Sequence, residues 1–176
     1  MCQMQPLDAK PNIYCALDLE IGSLHLQFPA TDDDVSQAMA ILRQSLQQME
    51  LAIEDIEKAE LTLAEALNNV VEHAVYPDRN SQIFLRVERE QDTLICLIRD
   101  KGRPLPGAKP PVGKPVDPNV ARNMLPEGGF GWIMIQHLTK SLKYRRIKGE
   151  NHLELVMPLA NGPECPDPDV LGPHSP

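Results

Sequence analysis

Glu65, Asn69, Glu72 and His73 interrupt an apolar helical pattern in the segment LTLAEALNNVVEHAV, residues 61–75. Glu65 and Asn69 are four positions apart, so both side chains leave the same side of a helix, and Glu72 extends this polar row. Carboxylate and carboxamide oxygens are suitable ligands for a hydrated Mg²⁺ ion. The solvated face of an amphipathic helix has the same residue types, so this segment alone predicts a helix and leaves its chemistry open.

A second polar feature lies in the segment IRDKGRP, residues 98–104, at the predicted end of a strand. Asp100 would present a carboxylate there, and Gly102 would let a flat ligand approach the backbone. A carboxylate accepts hydrogen bonds from amino groups such as those of purines. An ordinary turn uses Asp and Gly in the same way, so this segment also has two interpretations.

The third feature is a run of glycines that leads directly into an apolar helix, in the segment PEGGFGWI, residues 126–133. Gly129 and Gly131 would leave backbone N–H groups free at the positive end of the helix dipole, which favours an anion. A flexible hinge is the alternative. The pattern is not a dinucleotide-binding fingerprint, because no parallel strand–turn–helix unit surrounds it.

Apolar periodicity predicts the elements that position these residues. In chain order they are a strand at 24–28, a helix at 35–52, a break near 54–57, a helix at 61–75, strands at 83–87 and 93–98, a proline-rich loop at 99–131, a helix at 131–140, and strands at 142–147 and 152–157. Thr31 and the aspartates after it would cap the first helix. This order predicts an α+β fold, a two-layer sandwich with an antiparallel-dominated mixed sheet and helices on one face.

Composition and charge disfavour several classes of protein. The chain has 176 residues, 42% of them hydrophobic and 24% charged, as expected for a soluble globular domain. A net charge of −8 disfavours nucleic acid as the main partner. The sequence predicts neither a secretory signal nor a membrane span, and its four scattered cysteines predict no disulfide framework, so a cytoplasmic location is expected.

The three features, in this order along the chain, resemble the motifs of the Bergerat-type ATP-binding fold of histidine kinases, DNA gyrase, MutL and a heat-shock chaperone. The resemblance is greatest to the small anti-sigma-factor serine/threonine protein kinases of bacterial sporulation and stress response. It covers Leu24 to Leu159 and rests on EALNNVVEHAV, IRDKGRPLP and GGFGWIMI. Pro104 stands where larger relatives often have a second glycine, and the stress-response kinases commonly tolerate proline there.

The resemblance implies ATP and Mg²⁺ as ligands and assigns a role to each site residue. Asn69 would hold the Mg²⁺ that bridges the ATP phosphates, and Glu65 would be the catalytic general base. Asp100 would accept a hydrogen bond from the adenine amino group, with Gly102 against the base. Gly129 and Gly131 would lie at the phosphates, and residues 103–128 would form a lid. Five basic residues are candidates for a γ-phosphate contact: Lys101, Arg103, Lys109, Lys114 and Arg122.

The same resemblance implies the partners. We expect the protein to bind a sigma factor and to phosphorylate an anti-anti-sigma antagonist protein on serine, and a homodimer is allowed. A non-catalytic, nucleotide-dependent protein-binding module would have the same nucleotide motifs. A detached histidine-kinase catalytic domain is less favoured, because no helical hairpin with a phospho-acceptor histidine precedes the motifs. The expected organisation is a flexible arm at 1–20, an ATP-binding domain at 21–160 and a disordered proline-rich tail at 161–176.

Overall fold

The computed structural model describes residues 12–74, 81–111 and 130–160, which form a sheet with helices packed on one face. The helices are α1 (Asp32–Gln48), α2 (Ile53–Asn69) and α3 (Phe130–Leu138). The strands are β1 (Tyr14–Asp18), β2 (Ser23–Pro29), β3 (Gln82–Glu90), β4 (Thr93–Asp100), β5 (Ser141–Ile147) and β6 (Glu150–Pro158). The sheet order is β1-β2-β3-β4-β6-β5, and every neighbouring pair is antiparallel. The predicted α+β two-layer architecture is confirmed, with an antiparallel sheet in place of a mixed one in these residues.

Strand alternation places one residue in two against the helices. Along β4 the inward side chains are Leu94, Cys96, Ile98 and Asp100, each of them buried. The facing stripe of α2 includes Leu63, Ala66 and Leu67, as the apolar spacing predicts. Burial of this paired apolar surface is the main favourable term in folding. Because Asp100 follows the same alternation, it ends β4 on the inner face, directly beside α2 and α3.

The N-terminal boundary differs from the sequence prediction. Residues 14–18 form β1, which pairs with β2 over five positions, so the flexible arm cannot extend to residue 20. Ile13 is buried, and Cys15 and Leu17 pack against the core. This edge strand is short and alternates weakly, which is why its sequence pattern is inconspicuous. The expected tail at 161–176 lies outside the described residues.

The break between the first two helices also lies earlier than predicted. Helix α1 ends at Gln48, and Glu50 adopts a positive φ of 55°, which stops the helix. Helix α2 then begins at Ile53, so residues 54–57 are helical and the predicted break there is wrong. The predicted cap of α1 is confirmed, because Thr31 Oγ1 accepts the N–H of Asp34 at 3.2 Å.

The end of α2 changes its winding. From Val70 to Ala74 the chain continues as a π-helix, which inserts an extra residue into each turn. Glu72 therefore does not follow Glu65 and Asn69 at the α-helical angle, and its side chain is exposed. None of the described helices is long and apolar enough to cross a bilayer.

Candidate nucleotide site

Helix α2 supplies the first pair of site residues. Asn69 is its last α-helical residue, and the Asn69 amide nitrogen donates to the backbone carbonyl of Glu65 at 2.8 Å. The same nitrogen lies 3.4 Å from Glu65 Oε1, so the two side chains meet as their spacing predicts. Since the amide nitrogen is directed towards Glu65, the Asn69 Oδ1 atom is the one that can accept a cation.

Helix α3 begins against the Glu65 side chain. A Cβ atom built on Gly131 would lie 1.7 Å from Glu65 Oε1 and 2.5 Å from Glu65 Cγ, far inside van der Waals contact. Gly131 therefore allows the start of α3 and the Glu65 carboxylate to occupy adjacent space. The structure thus brings two of the predicted site residues together from helices that lie far apart in sequence. Gly129 lies outside the described residues.

Asp100 and Gly102 form the second part of the site. The Asp100 side chain is 4% exposed, and its Oδ1 accepts the Gly102 N–H at 2.8 Å. This local bond turns the chain as it leaves β4 and is the usual way in which Asp stabilises a turn. Oδ1 also accepts a hydrogen bond of 2.8 Å from the Asn151 side chain on β6. The carboxylate is consequently fixed in orientation at the edge of the core.

Burial raises the pKa of the Asp100 carboxyl above its ordinary range. The hydrogen bonds from Asn151 and Gly102 and the positive charge of Arg146 oppose this increase in pKa, and the negative charge of Glu150 adds to it. These charged neighbours lie on β5 and β6, whereas α2 and α3 present uncharged side chains to the recess around Asp100. The protonation state of Asp100 therefore depends on burial, which raises its pKa, and on Asn151 and Arg146 of the β5–β6 hairpin, which lower it.

Asn151, Tyr144 and Arg146 complete a network that sequence reasoning missed. Asn151 Oδ1 accepts from Tyr144 Oη at 2.7 Å and from an Arg146 guanidinium nitrogen at 2.5 Å. The predicted strand begins only at residue 152 and so leaves out Asn151, which is in fact paired with Asp100 in the β4–β6 register. Only the register of the two strands reveals this pairing, because 51 residues separate them.

A small recess lies among these residues. It is lined by Ala66, Asn69, Val70, Asp100, Arg103, Leu105, Trp132, Tyr144, Asn151 and Leu153. Its volume is about 30 Å³, which is room for about one water molecule. A purine ring would therefore enter only after the lining opens. Apolar walls with an Asp acceptor and an Asn amide suit the base of a nucleotide beside a cation.

A larger hollow of about 340 Å³ lies on the opposite face of the sheet, beside Phe84, Arg99 and His152. The Arg99 guanidinium stacks 5.0 Å above the Phe84 ring and also pairs with Glu150. None of the predicted site residues lines this hollow in the described part of the chain. Chemistry, rather than size, therefore selects the smaller recess as the candidate site.

The described residues contain no group of three or more His, Cys, Asp or Glu side chains that could hold a metal ion. Asn69 offers one amide oxygen, and a Mg²⁺ ion held there would take its other ligands largely from water and phosphate oxygens, as Mg²⁺ commonly does in nucleotide sites. The oxygen-only donor set fits this ion. Of the predicted lid, residues 103–111 are described and include a short 3₁₀ turn at Pro106–Ala108, and the rest lies outside the described residues.

Comparison with known proteins shows the family to which the chain belongs. The model of the histidine kinase-like ATPase domain matches residues 28–157, so the chain belongs to this family. The match contains the strands β3, β4 and β5, nearly all of β6, the helices α1, α2 and α3, and every residue that lines the recess. The resemblance to anti-sigma-factor kinases that the motifs predict is confirmed by the names of the relatives.

Three relatives illustrate the range of similarity. The serine/threonine-protein kinase BtrW of Bordetella bronchiseptica is 32% identical over 95 residues, which is 52% of this chain and 63% of the relative. The serine-protein kinase RsbW of Oceanobacillus iheyensis is 28% identical over 68% of this chain and 77% of its own length. The anti-sigma F factor of Shouchella clausii is 23% identical over 69% of this chain and 82% of its own length.

A solved structure supports the fold. The crystal structure of the RsbU and RsbW domains of a Mycobacterium tuberculosis protein superposes with a TM-score of 0.51 at 17% identity. The similarity covers 78% of this chain and 32% of the mycobacterial chain. At this identity the match shows a common fold, and the activity of the present chain has to be argued from its own residues.

Proposed function

We propose that this protein is an ATP- and Mg²⁺-dependent serine protein kinase that binds a sigma factor and phosphorylates an anti-anti-sigma antagonist on serine. The observation that carries the proposal is the arrangement of four predicted residues: Glu65, Asn69, Asp100 and Gly131 lie at the junction of α2, β4 and α3. Family membership and the names of the relatives support the same class of protein.

In this proposal each site residue contacts a different part of the nucleotide. Asp100 accepts a hydrogen bond from the adenine amino group, and Gly102 leaves room for the base. Asn69 supplies an oxygen ligand to Mg²⁺, which neutralises charge on the phosphates when bound. Gly129 and Gly131 would present backbone N–H groups to the phosphates at the start of α3. Of the basic candidates in the described part of the chain, Arg103 lines the recess and is the one that we assign to a phosphate contact.

Glu65 acts as the general base in this proposal. The serine oxygen of the antagonist attacks the γ-phosphorus, the bond from that phosphorus to the β,γ-bridging oxygen breaks, and ADP leaves. The serine proton passes to the Glu65 carboxylate, which must lie within hydrogen-bond reach of the hydroxyl. Phosphoryl transfer depends mainly on positioning and charge neutralisation, so few side chains suffice.

Calorimetry with ATP and Mg²⁺ on the wild type, Asn69→Ala and Asp100→Ala tests the binding site. We expect saturable binding by the wild type, loss of binding in Asp100→Ala, and loss of the Mg²⁺ dependence in Asn69→Ala. The fluorescence of Trp132, the single tryptophan of the chain, provides a second signal because this residue lines the recess. Absence of binding by folded wild-type protein would refute the site.

Transfer of radiolabelled phosphate to a candidate antagonist tests catalysis. Glu65→Gln should retain ATP binding and lose about 10²–10⁴-fold in transfer rate, the usual contribution of a general base. An antagonist in which the target serine is replaced by alanine is the matched control. Binding of ATP and partner without transfer by the wild type would identify a nucleotide-dependent binding module instead of a kinase.

A further inference from the structure

Asn151 uses its whole hydrogen-bonding capacity in the site. Its amide nitrogen donates to Asp100 Oδ1 at 2.8 Å and to the Arg103 carbonyl at 2.9 Å. Its Oδ1 accepts from Tyr144 and Arg146, as described above. A carboxamide has two donor hydrogens and two acceptor lone pairs, so all four directions are occupied. A buried amide whose hydrogen bonds are all made is restricted to one arrangement.

Asn151 binds one particular oxygen of the Asp100 carboxylate. Both hydrogen bonds that Asp100 receives from described residues end on Oδ1, one from the Gly102 N–H and one from Asn151. Asp100 also lines the recess, so Oδ2 is the acceptor that remains for a ligand. Without Asn151 only the Gly102 N–H would hold Oδ1, so the carboxylate plane could turn about the Cβ–Cγ bond and Oδ2 would no longer be held in one direction.

The same network holds the backbone that follows Asp100. Arg146 donates to the Gly102 carbonyl at 3.0 Å, Asn151 binds the Arg103 carbonyl, and Tyr144 Oη accepts the Leu105 N–H at 3.1 Å. Three side chains of the β5–β6 hairpin thus fix the segment 102–105, which forms one wall of the recess. Asn151 therefore acts on both the orientation of Asp100 and, together with Tyr144 and Arg146, the position of this wall.

We propose that Asn151 is a positioning residue that makes the nucleotide site selective for a purine with a 6-amino group. It acts through Asp100, whose Oδ2 it directs towards the ligand, and does not itself contact the reacting atoms. This inference rests on the proposed function, because it assumes that the recess receives the adenine base. It concerns a residue outside the three motifs and gives a reason for the buried amide near the start of β6.

The test compares ATP with purine riboside triphosphate, which differs only in lacking the 6-amino group. Both nucleotides are titrated with Mg²⁺ into the full-length protein, with Trp132 fluorescence and calorimetry as readouts. The wild type should bind ATP about tenfold or more tightly, because loss of the amino group leaves a buried carboxylate oxygen without its donor. The ratio of the two affinities reports on Asp100 alone, whereas phosphate contacts cancel.

Asn151→Val and Asn151→Thr form a matched pair, since both side chains are β-branched and suit a strand. The threonine hydroxyl can still donate to Asp100, whereas valine cannot. We expect Asn151→Val to reduce the affinity ratio to within about threefold of unity, with purine riboside triphosphate binding nearly unchanged, and Asn151→Thr to keep a larger ratio. Lys143→Met is the control in the same hairpin, because this exposed lysine pairs with Glu154 on the opposite face.

The outcomes separate the two proposals. If the folded wild type binds neither nucleotide, the proposed function fails and this inference fails with it. If the wild type prefers ATP but Asn151→Val keeps the same ratio, or weakens both nucleotides equally, the positioning role is wrong and the proposed function stands. If Asn151→Val does not fold, Arg146→Met removes one bond to Asn151 and one to Gly102, and should reduce the ratio part of the way. An unchanged ratio in Arg146→Met would then overturn the inference.

Discussion

The Glu65 side chain fills the space beside the Gly131 Cα atom, where a second side chain would not fit. A methyl group at Gly131 would overlap the Glu65 carboxylate and its Cγ atom, so Gly131→Ala should force Glu65 to rotate away from the start of α3. We expect phosphate transfer to fall at least tenfold, while the free energy of unfolding falls by no more than about 1 kcal/mol, since a flexible side chain can yield. A transfer assay and urea denaturation measure the two effects.

The Glu65→Ala background provides the control for this substitution. There the overlap is absent, and alanine is a better helix former than glycine, so Gly131→Ala should stabilise the protein by a few tenths to about 1 kcal/mol. The sign of the effect on stability therefore depends on Glu65. An equal loss of stability in both backgrounds would show that the contact is not the cause.

Asp100 gives the site a dependence on pH. Its raised pKa means that the folded chain holds this proton more tightly than the unfolded chain, so the stabilisation is complete below the unfolded pKa and disappears as the pH rises through the folded pKa. The stability of the wild type relative to Asp100→Asn should therefore decrease with rising pH over this interval. Urea denaturation of both proteins at a series of pH values measures this difference.

ATP affinity should change in the opposite sense over the same interval. The charged carboxylate is the acceptor for the adenine amino group, so affinity should rise with pH as Asp100 loses its proton. Asp100→Asn should show a weaker affinity and little of this dependence. A wild-type affinity that falls as the pH rises through this range would contradict the assigned role.

Most elements of the fold could be predicted from apolar spacing alone. The β3–β4 and β5–β6 hairpins and the apolar stripe of α2 follow the expected patterns, because each buries one face against the same core. The site was predictable to the extent that its chemistry lies in local motifs, as at Asp100 and Gly102. Asn151 and Tyr144 were not predictable, because their roles arise from the pairing of β4 with β6 and from a hairpin that folds back over the segment after β4.

The first strand is the element that the sequence concealed, and its contribution can be measured by truncation. Removal of residues 1–20 deletes β1 and leaves one backbone edge of β2 without its partner strand, with loss of the buried Ile13 and the partly buried Leu17. We expect the unfolding free energy to fall by about 2 kcal/mol or more. Removal of residues 1–11 alone is the matched control, with little expected effect. Equal stability of the two truncated proteins would show that β1 contributes nothing.

At the scale of the whole molecule, the site joins elements from most of the chain. Asn69 ends α2, Asp100 ends β4, Trp132 lies in α3 and Asn151 is the second residue of β6, so a ligand in the recess would contact both halves of the sequence. The segment that follows β6 is bonded to the start of α2, where the Asp55 carboxylate accepts the Ala160 N–H at 2.9 Å. Loss of the site should therefore require global rather than local unfolding.

Nucleotide binding should consequently raise the melting temperature of the entire domain in one transition. At an ATP–Mg²⁺ concentration one hundred times the measured Kd, binding adds about 2.7 kcal/mol to stability, which corresponds to roughly 5–10 °C for a chain of this size. Calorimetric melting measures the shift, and Asp100→Ala should abolish it. Arg43→Met, which breaks the ion pair with Glu60 between α1 and α2, is the control. It should lower the starting melting temperature and keep the full ligand shift, whereas a wild-type melting temperature unaffected by saturating ATP would mean that the nucleotide does not bind the folded site.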